Sequence, residues 1–61
     1  MTGQQLRNKR TELGLSQTAL AELLEVRQAT VSGWETGAKA ISHVVELALM
    51  EIERRVKGKK S

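Results

Sequence analysis

Arg27, Gln28, Ala29 and Ser32 stand together in one short stretch of the chain. Their side chains suit the edges of nucleic-acid bases. A glutamine amide can donate and accept side by side, as adenine requires. An arginine can bond guanine or a phosphate, an alanine methyl can touch the methyl of thymine, and a serine hydroxyl suits several edges. Solvated polar positions on a helix would carry the same residue types. The elements that present these four residues must separate the two possibilities.

No comparable set points to catalysis or metal binding. Ser16 and Ser42 stand where helix caps are expected. His43 is the single histidine, and no cysteine accompanies it. A lone imidazole without clustered carboxylates or thiolates makes a poor metal site, and nothing in the pattern orients it as a base. No cofactor, no metal and no enzymatic activity are expected.

The elements follow from caps and apolar spacing. Thr2 and Gln5 have the separation of a capping box, so a first helix should start after Thr2. Leu6 and Leu13 share its inner face, and Gly14 ends it. Lys9 and Arg10 fall near its carboxyl end, where cations suit the helix dipole. Ser16 should cap a second helix, with Leu15 packing on Leu20 as a staple and with Leu20, Ala21, Leu23 and Leu24 as its apolar face. After a break of about three residues, Glu25, Val26 and Arg27, a third helix is predicted over Gln28–Thr36. Val31 and Trp34 should point inward and Gly37 should stop it. A loop over 38–41 leads to Ser42, a cap for a longer last helix. There Val45, Ala48, Leu49, Ile52 and Val56 recur at helical spacing, widened by Val44 and Leu47. Met50 is expected to pack between helices. Glu51 and Arg55, and Glu53 and Lys57, are i, i+4 pairs in the favourable order. A tight turn between the second and third helices makes them cross steeply, so the third helix should protrude.

Composition agrees with an all-α domain. The 61 residues contain no Cys, Pro, Phe or Tyr, and Trp34 is the only aromatic. Helix formers dominate. The domain is expected to span 1–56, followed by a basic tail over 57–61. The net charge of +3 suits a polyanionic partner without requiring one. No apolar run reaches membrane-spanning length and no signal-peptide pattern opens the sequence, so a cytoplasmic location with no membrane partner is the expectation.

The segment over 6–37 resembles the helix-turn-helix of the phage repressor and Cro family, also called the XRE family. The matching residues are "LGLSQ" at 13–17, "LA" at 20–21, Leu24, Val26, "TVSGWE" at 30–35, and Gly37. The resemblance implies a compact, lambda-repressor-like four-helix fold. It also implies binding of double-stranded DNA, usually as a dimer on a two-fold site, with a role in transcription. Carried over by position, it places Gln28, Ala29 and Ser32 at or beside base-reading positions, with Arg27 at the junction before them. Gln17 matches a position that bonds a phosphate and braces the next helix. Thr36, Lys39 and His43 match the region that meets the backbone, and Arg10 and Glu35 match a structural ion pair.

The chain departs from the family pattern at three points. Glu25 stands where a turn favouring positive φ usually carries Gly, so either it adopts that conformation at some cost or the turn differs. Arg27 stands where a small polar cap is usual. Gly33 lies inside the third helix with no side chain to read with. A weak homodimer through the last helix or the loop before it, tightened on DNA, is expected. Two alternatives remain open: an antitoxin with a protein partner, and a helical protein-interaction module that reads no DNA.

Overall fold

Thr2 opens the first helix with a reciprocal capping box. Its Oγ1 accepts from the Gln5 amide at 3.1 Å, and its own amide donates to Gln5 Oε1 at 2.9 Å. The computed structural model describes residues 1–58. These form four helices and no strand: α1 (Gly3–Glu12), α2 (Gln17–Leu24), α3 (Gln28–Thr36) and α4 (His43–Gly58). Ser16 caps α2 by accepting from the Ala19 amide at 3.0 Å. Ser42 accepts more weakly from the Val45 amide at 3.4 Å, at the start of α4. Of the basic tail expected over 57–61, Lys57 and Gly58 are part of α4, and 59–61 lie outside the described residues.

The turn between α2 and α3 keeps the backbone that favours glycine. Glu25 adopts φ 59° and ψ 43°, and is the only non-glycine residue with positive φ among the described residues. This left-handed conformation costs roughly 1 kcal/mol for a residue with a Cβ. It turns the chain back on itself. The amides of Glu25 and Val26 then bond the Glu22 and Ala21 carbonyls, at 3.2 and 2.9 Å. Two of the four orphan carbonyls of α2 are thereby satisfied within a three-residue connection. Arg27 is the N-cap of α3 and makes no side-chain capping bond.

The core is small and belongs to all four helices. Leu6, Leu20, Ala21, Val31, Trp34, Leu49 and Ile52 are buried together, with Leu13, Leu15, Leu24, Val26, Ile41 and Val45 packed around them. Packing of α3 is mainly against α1 and α2, while α4 lies on α2. Trp34 is core, as its spacing with Val31 predicts.

Five apolar positions differ from expectation, since Leu23, Val44, Leu47, Met50 and Val56 are all exposed. Leu23 is 50% exposed, although its apolar spacing predicts the inner face of α2. That face is centred on Leu20, Ala21 and Leu24, and at 3.6 residues per turn Leu23 lies roughly 100° around from its middle. Met50 is 63% exposed instead of packing between helices, because α4 turns a single side to α2. Val56 is exposed because the last turns of α4 run beyond Ile52, the final core residue. Val44, Leu47 and Met50 therefore form an uncovered apolar stripe at i, i+3, i+6 on α4.

Candidate nucleic-acid interface

A chain of hydrogen bonds links the interior of the domain to the exposed start of α3. Arg10, near the end of α1, reaches Glu35 in the last turn of α3. Its Nε donates to Glu35 Oε2 at 2.6 Å and its Nη2 to Oε1 at 3.1 Å. The remaining Nη1 donates to the Leu15 carbonyl at 2.9 Å. Two parallel charge-assisted bonds of this kind fix orientation as well as attraction. The ion pair is largely enclosed, with the Glu35 side chain 4% exposed and that of Arg10 14%.

Glu35 has a third partner. Gln17, the first residue of α2, donates from Nε2 to Glu35 Oε1 at 3.0 Å. This bond sets the orientation of the Gln17 amide, so its oxygen faces α3. Gln28 Nε2 donates to that oxygen at 2.6 Å. A glutamine amide has two N–H donors and an acceptor oxygen. Gln28 spends one N–H on Gln17 and keeps the other, together with its oxygen, for the outside. The first residue of α3 is thus exposed yet held in one orientation.

Electrostatics reinforce this chain. Burial alone would raise the Glu35 pKa, but the hydrogen bonds from Arg10 and Gln17 outweigh it and hold the carboxyl below its ordinary value. The hydrogen bond to Glu35 likewise raises the Arg10 pKa. A carboxyl whose folded-state pKa is lowered contributes stability above its unfolded value and loses it as pH falls through the folded one. Urea unfolding at pH 7 and pH 3 should therefore show a weaker protein at pH 3. In Glu35→Gln, which cannot ionise there, the difference between the two pH values should shrink. An unchanged pH difference in that variant would place the acid sensitivity elsewhere, for example at Glu53 between Lys9 and Lys57.

The other residues of the sequence reading lie nearby in the chain but are not joined to this network. Arg27 and Ala29 are exposed and Ser32 is half-buried. Thr36 is exposed and returns its hydroxyl to the Gly33 carbonyl at 3.3 Å. Lys39 is exposed, and its amide donates to the same carbonyl at 3.0 Å. His43 is exposed at the start of α4, with Nδ1 3.6 Å from Glu46, and bonds none of the others. Among the described residues no cluster of His, Cys, Asp or Glu could hold a metal ion. No described helix is long and apolar enough to cross a membrane.

Two features escaped the sequence reading. The Leu15 carbonyl completes the setting of Arg10, and a backbone acceptor leaves no trace in residue type. Gly3 lies against the end of α3, where a Cβ would stand 2.5 Å from the Trp34 carbonyl oxygen and 2.6 Å from that of Glu35. A glycine at the first position of a helix does not announce such a contact.

Comparison with known families yields a match over most of the domain. A family model described as Helix-turn-helix covers residues 6–48, more than half of the chain. The matched segment contains α2, the turn at Glu25 and α3, and extends from α1 into α4. No curated protein and no solved structure matches the chain.

Proposed function

Because the chain belongs to the XRE-type helix-turn-helix family, whose domains bind double-stranded DNA, we propose that it is a sequence-specific transcriptional regulator that reads the major groove with α3. The observation that carries this reading is the exposed Gln28 amide, held by Gln17 through Glu35 and Arg10. An oriented amide loses little freedom on binding, and it still has the donor and acceptor that adenine needs. The major groove admits a single α-helix, which suits a helix with short residues at its amino end. Arg27, Ala29 and Ser32 are the neighbouring contacts to base edges or phosphates. Gln17 can meet a phosphate with its backbone amide at the start of α2, where the helix dipole favours an anion. Thr36 and His43 follow the reading helix and suit the DNA backbone.

Selection of bound duplexes from a random pool tests the proposal. Gln28→Ala should weaken the selected site by about 2 kcal/mol and relax the choice at one base position. It should leave binding to a scrambled duplex nearly unchanged. Gln17→Ala, which frees the Gln28 amide, should narrow the gap between selected and scrambled duplexes and leave the salt dependence unchanged, since the side chain removed carries no charge. Equal losses on selected and scrambled duplexes for Gln28→Ala would remove α3 as the reader. Absence of any salt-sensitive duplex binding would favour the protein-interaction module instead.

A single reading helix spans few base pairs, so two copies on a two-fold site are part of this proposal. The uncovered stripe of Val44, Leu47 and Met50 supports pairing through α4. Sedimentation should detect a weak monomer–dimer equilibrium that Leu47→Glu shifts to monomer. A strict monomer at high concentration, with one protein per selected site, would rule this pairing out.

A further inference from the structure

Gly33 lies inside the unbroken helix α3, where glycine is the poorest non-proline helix former. A glycine inside a helix calls for a packing or functional reason, and the structure contains one. A Cβ placed on Gly33 would stand 3.1 Å from both Cγ and Cδ of Lys39, and 3.5 Å from its Cε. Carbon atoms normally rest about 3.5–4.0 Å apart, so the Lys39 stem lies in the space that a side chain at Gly33 would fill. The backbone fixes this arrangement. Gly37 takes φ 88° as the C-cap of α3, and the chain returns so that the Lys39 amide bonds the Gly33 carbonyl at 3.0 Å.

We infer that Lys39 serves as the reading side chain that Gly33 lacks, and that its ammonium recognises a guanine in the major groove. This inference rests on the proposal that α3 reads DNA. Gly33 is four residues after Ala29 and three before Thr36, so all three share one helical face. The Lys39 stem crosses that face from the following turn and carries its charge with it. No ion pair among the described residues engages the ammonium. A lysine on a groove-facing surface is suited to the O6 and N7 acceptors of guanine. The missing side chain of Gly33 thus makes room for a longer, cationic one delivered from the loop.

The test uses the duplex that the parent protein selects from a random pool, single-base variants of it, and a scrambled duplex. Lys39→Met keeps an apolar stem and removes the charge. Gly33→Ala keeps the charge and displaces the stem. The parent should select a guanine at one position of each half-site. Lys39→Met should reduce the preference for that guanine by about 5- to 150-fold while leaving the preference associated with Gln28 intact. Gly33→Ala should weaken the same guanine preference, with a melting temperature no lower than the parent's. If Lys39→Met lowers affinity for selected and scrambled duplexes alike, the lysine meets only phosphate and the inference fails. Retention of the guanine preference in Gly33→Ala overturns it as well. A parent that binds all duplexes equally removes the DNA-reading proposal itself. A parent motif whose guanine survives Lys39→Met removes this inference alone.

Discussion

Glu35→Ala should cost on the order of 3 kcal/mol of folding stability. The carboxylate it removes accepts from Arg10 at 2.6 and 3.1 Å and from Gln17 at 3.0 Å. Its loss leaves the Arg10 guanidinium largely enclosed, with the Leu15 carbonyl as a partner but no anion. Breaking an enclosed pair from one side is the costly change, because the remaining charge is neither solvated nor compensated. A domain of 61 residues has roughly 3–9 kcal/mol of total stability, so the loss removes a third of it or more. The exposed pairs on α4 provide the contrast. Arg54 and Arg55 meet Glu51 with their own side chains more than 70% exposed, and such solvated contacts contribute little to stability. Urea unfolding should rank the variants accordingly, with Glu35→Ala far below Arg54→Ala. A Glu35→Ala midpoint equal to the parent's would show that the pair holds nothing together. The same substitution should also release Gln17 and, through it, Gln28. Duplex selectivity should therefore fall even at temperatures where the variant remains folded.

Gly3→Ala should be destabilising by about 2 to 3 kcal/mol, against the ordinary expectation for a helix. Alanine favours a helix over glycine by about 1 kcal/mol at interior positions, and less at the first residue. Space decides the sign here. The added carbon would lie 2.5 Å from the Trp34 oxygen, 2.6 Å from the Glu35 oxygen and 2.9 Å from the Glu35 carbonyl carbon. All three are backbone atoms of α3 and cannot rotate away. The start of α1 must lift, and overpacking of this kind costs about 1–3 kcal/mol or more. It also strains the seat of Trp34 and Glu35, the residues that anchor α3. Thermal unfolding followed by circular dichroism checks the sign. A melting temperature at or above the parent's would mean that α1 moves freely over α3. Gly33→Ala is the useful comparison, since the atoms it meets belong to a flexible lysine stem.

Local signals made the secondary structure legible. Caps and stops act within a few residues, so the capping box at Thr2 and Gln5, the Ser16 cap and the Gly37 stop could be read one element at a time. The i, i+4 pairs of α4 are local as well, and both form, with Glu51 and Arg55 at 3.3 Å and Glu53 and Lys57 at 3.0 Å. At Glu25 the residue type left two options, strain or a different turn. The structure takes the strained one, because the short connection and the amide bonds of residues 25 and 26 require that backbone.

The inner side of each helix was legible, with Leu6, Leu20, Ala21, Val31, Trp34, Leu49 and Ile52 buried as their spacing predicts, but the width of the covered face was not. Apolar spacing extends the inward stripes to Leu23 and Val56, yet a stripe is buried only where a neighbouring helix lies over it. The candidate site divides along the same line. The residue types and spacing of Gln17, Gln28, Arg10 and Glu35 stand in the sequence, and a family resemblance singles them out. Their joining into one hydrogen-bonded chain depends on where α1, α2 and α3 meet, across separations of 11 to 25 residues. The seat of Gly3 on α3 and the path of Lys39 over Gly33 belong wholly to the tertiary structure. A sequence encodes the lack of a side chain, but only the packed chain determines what occupies the space.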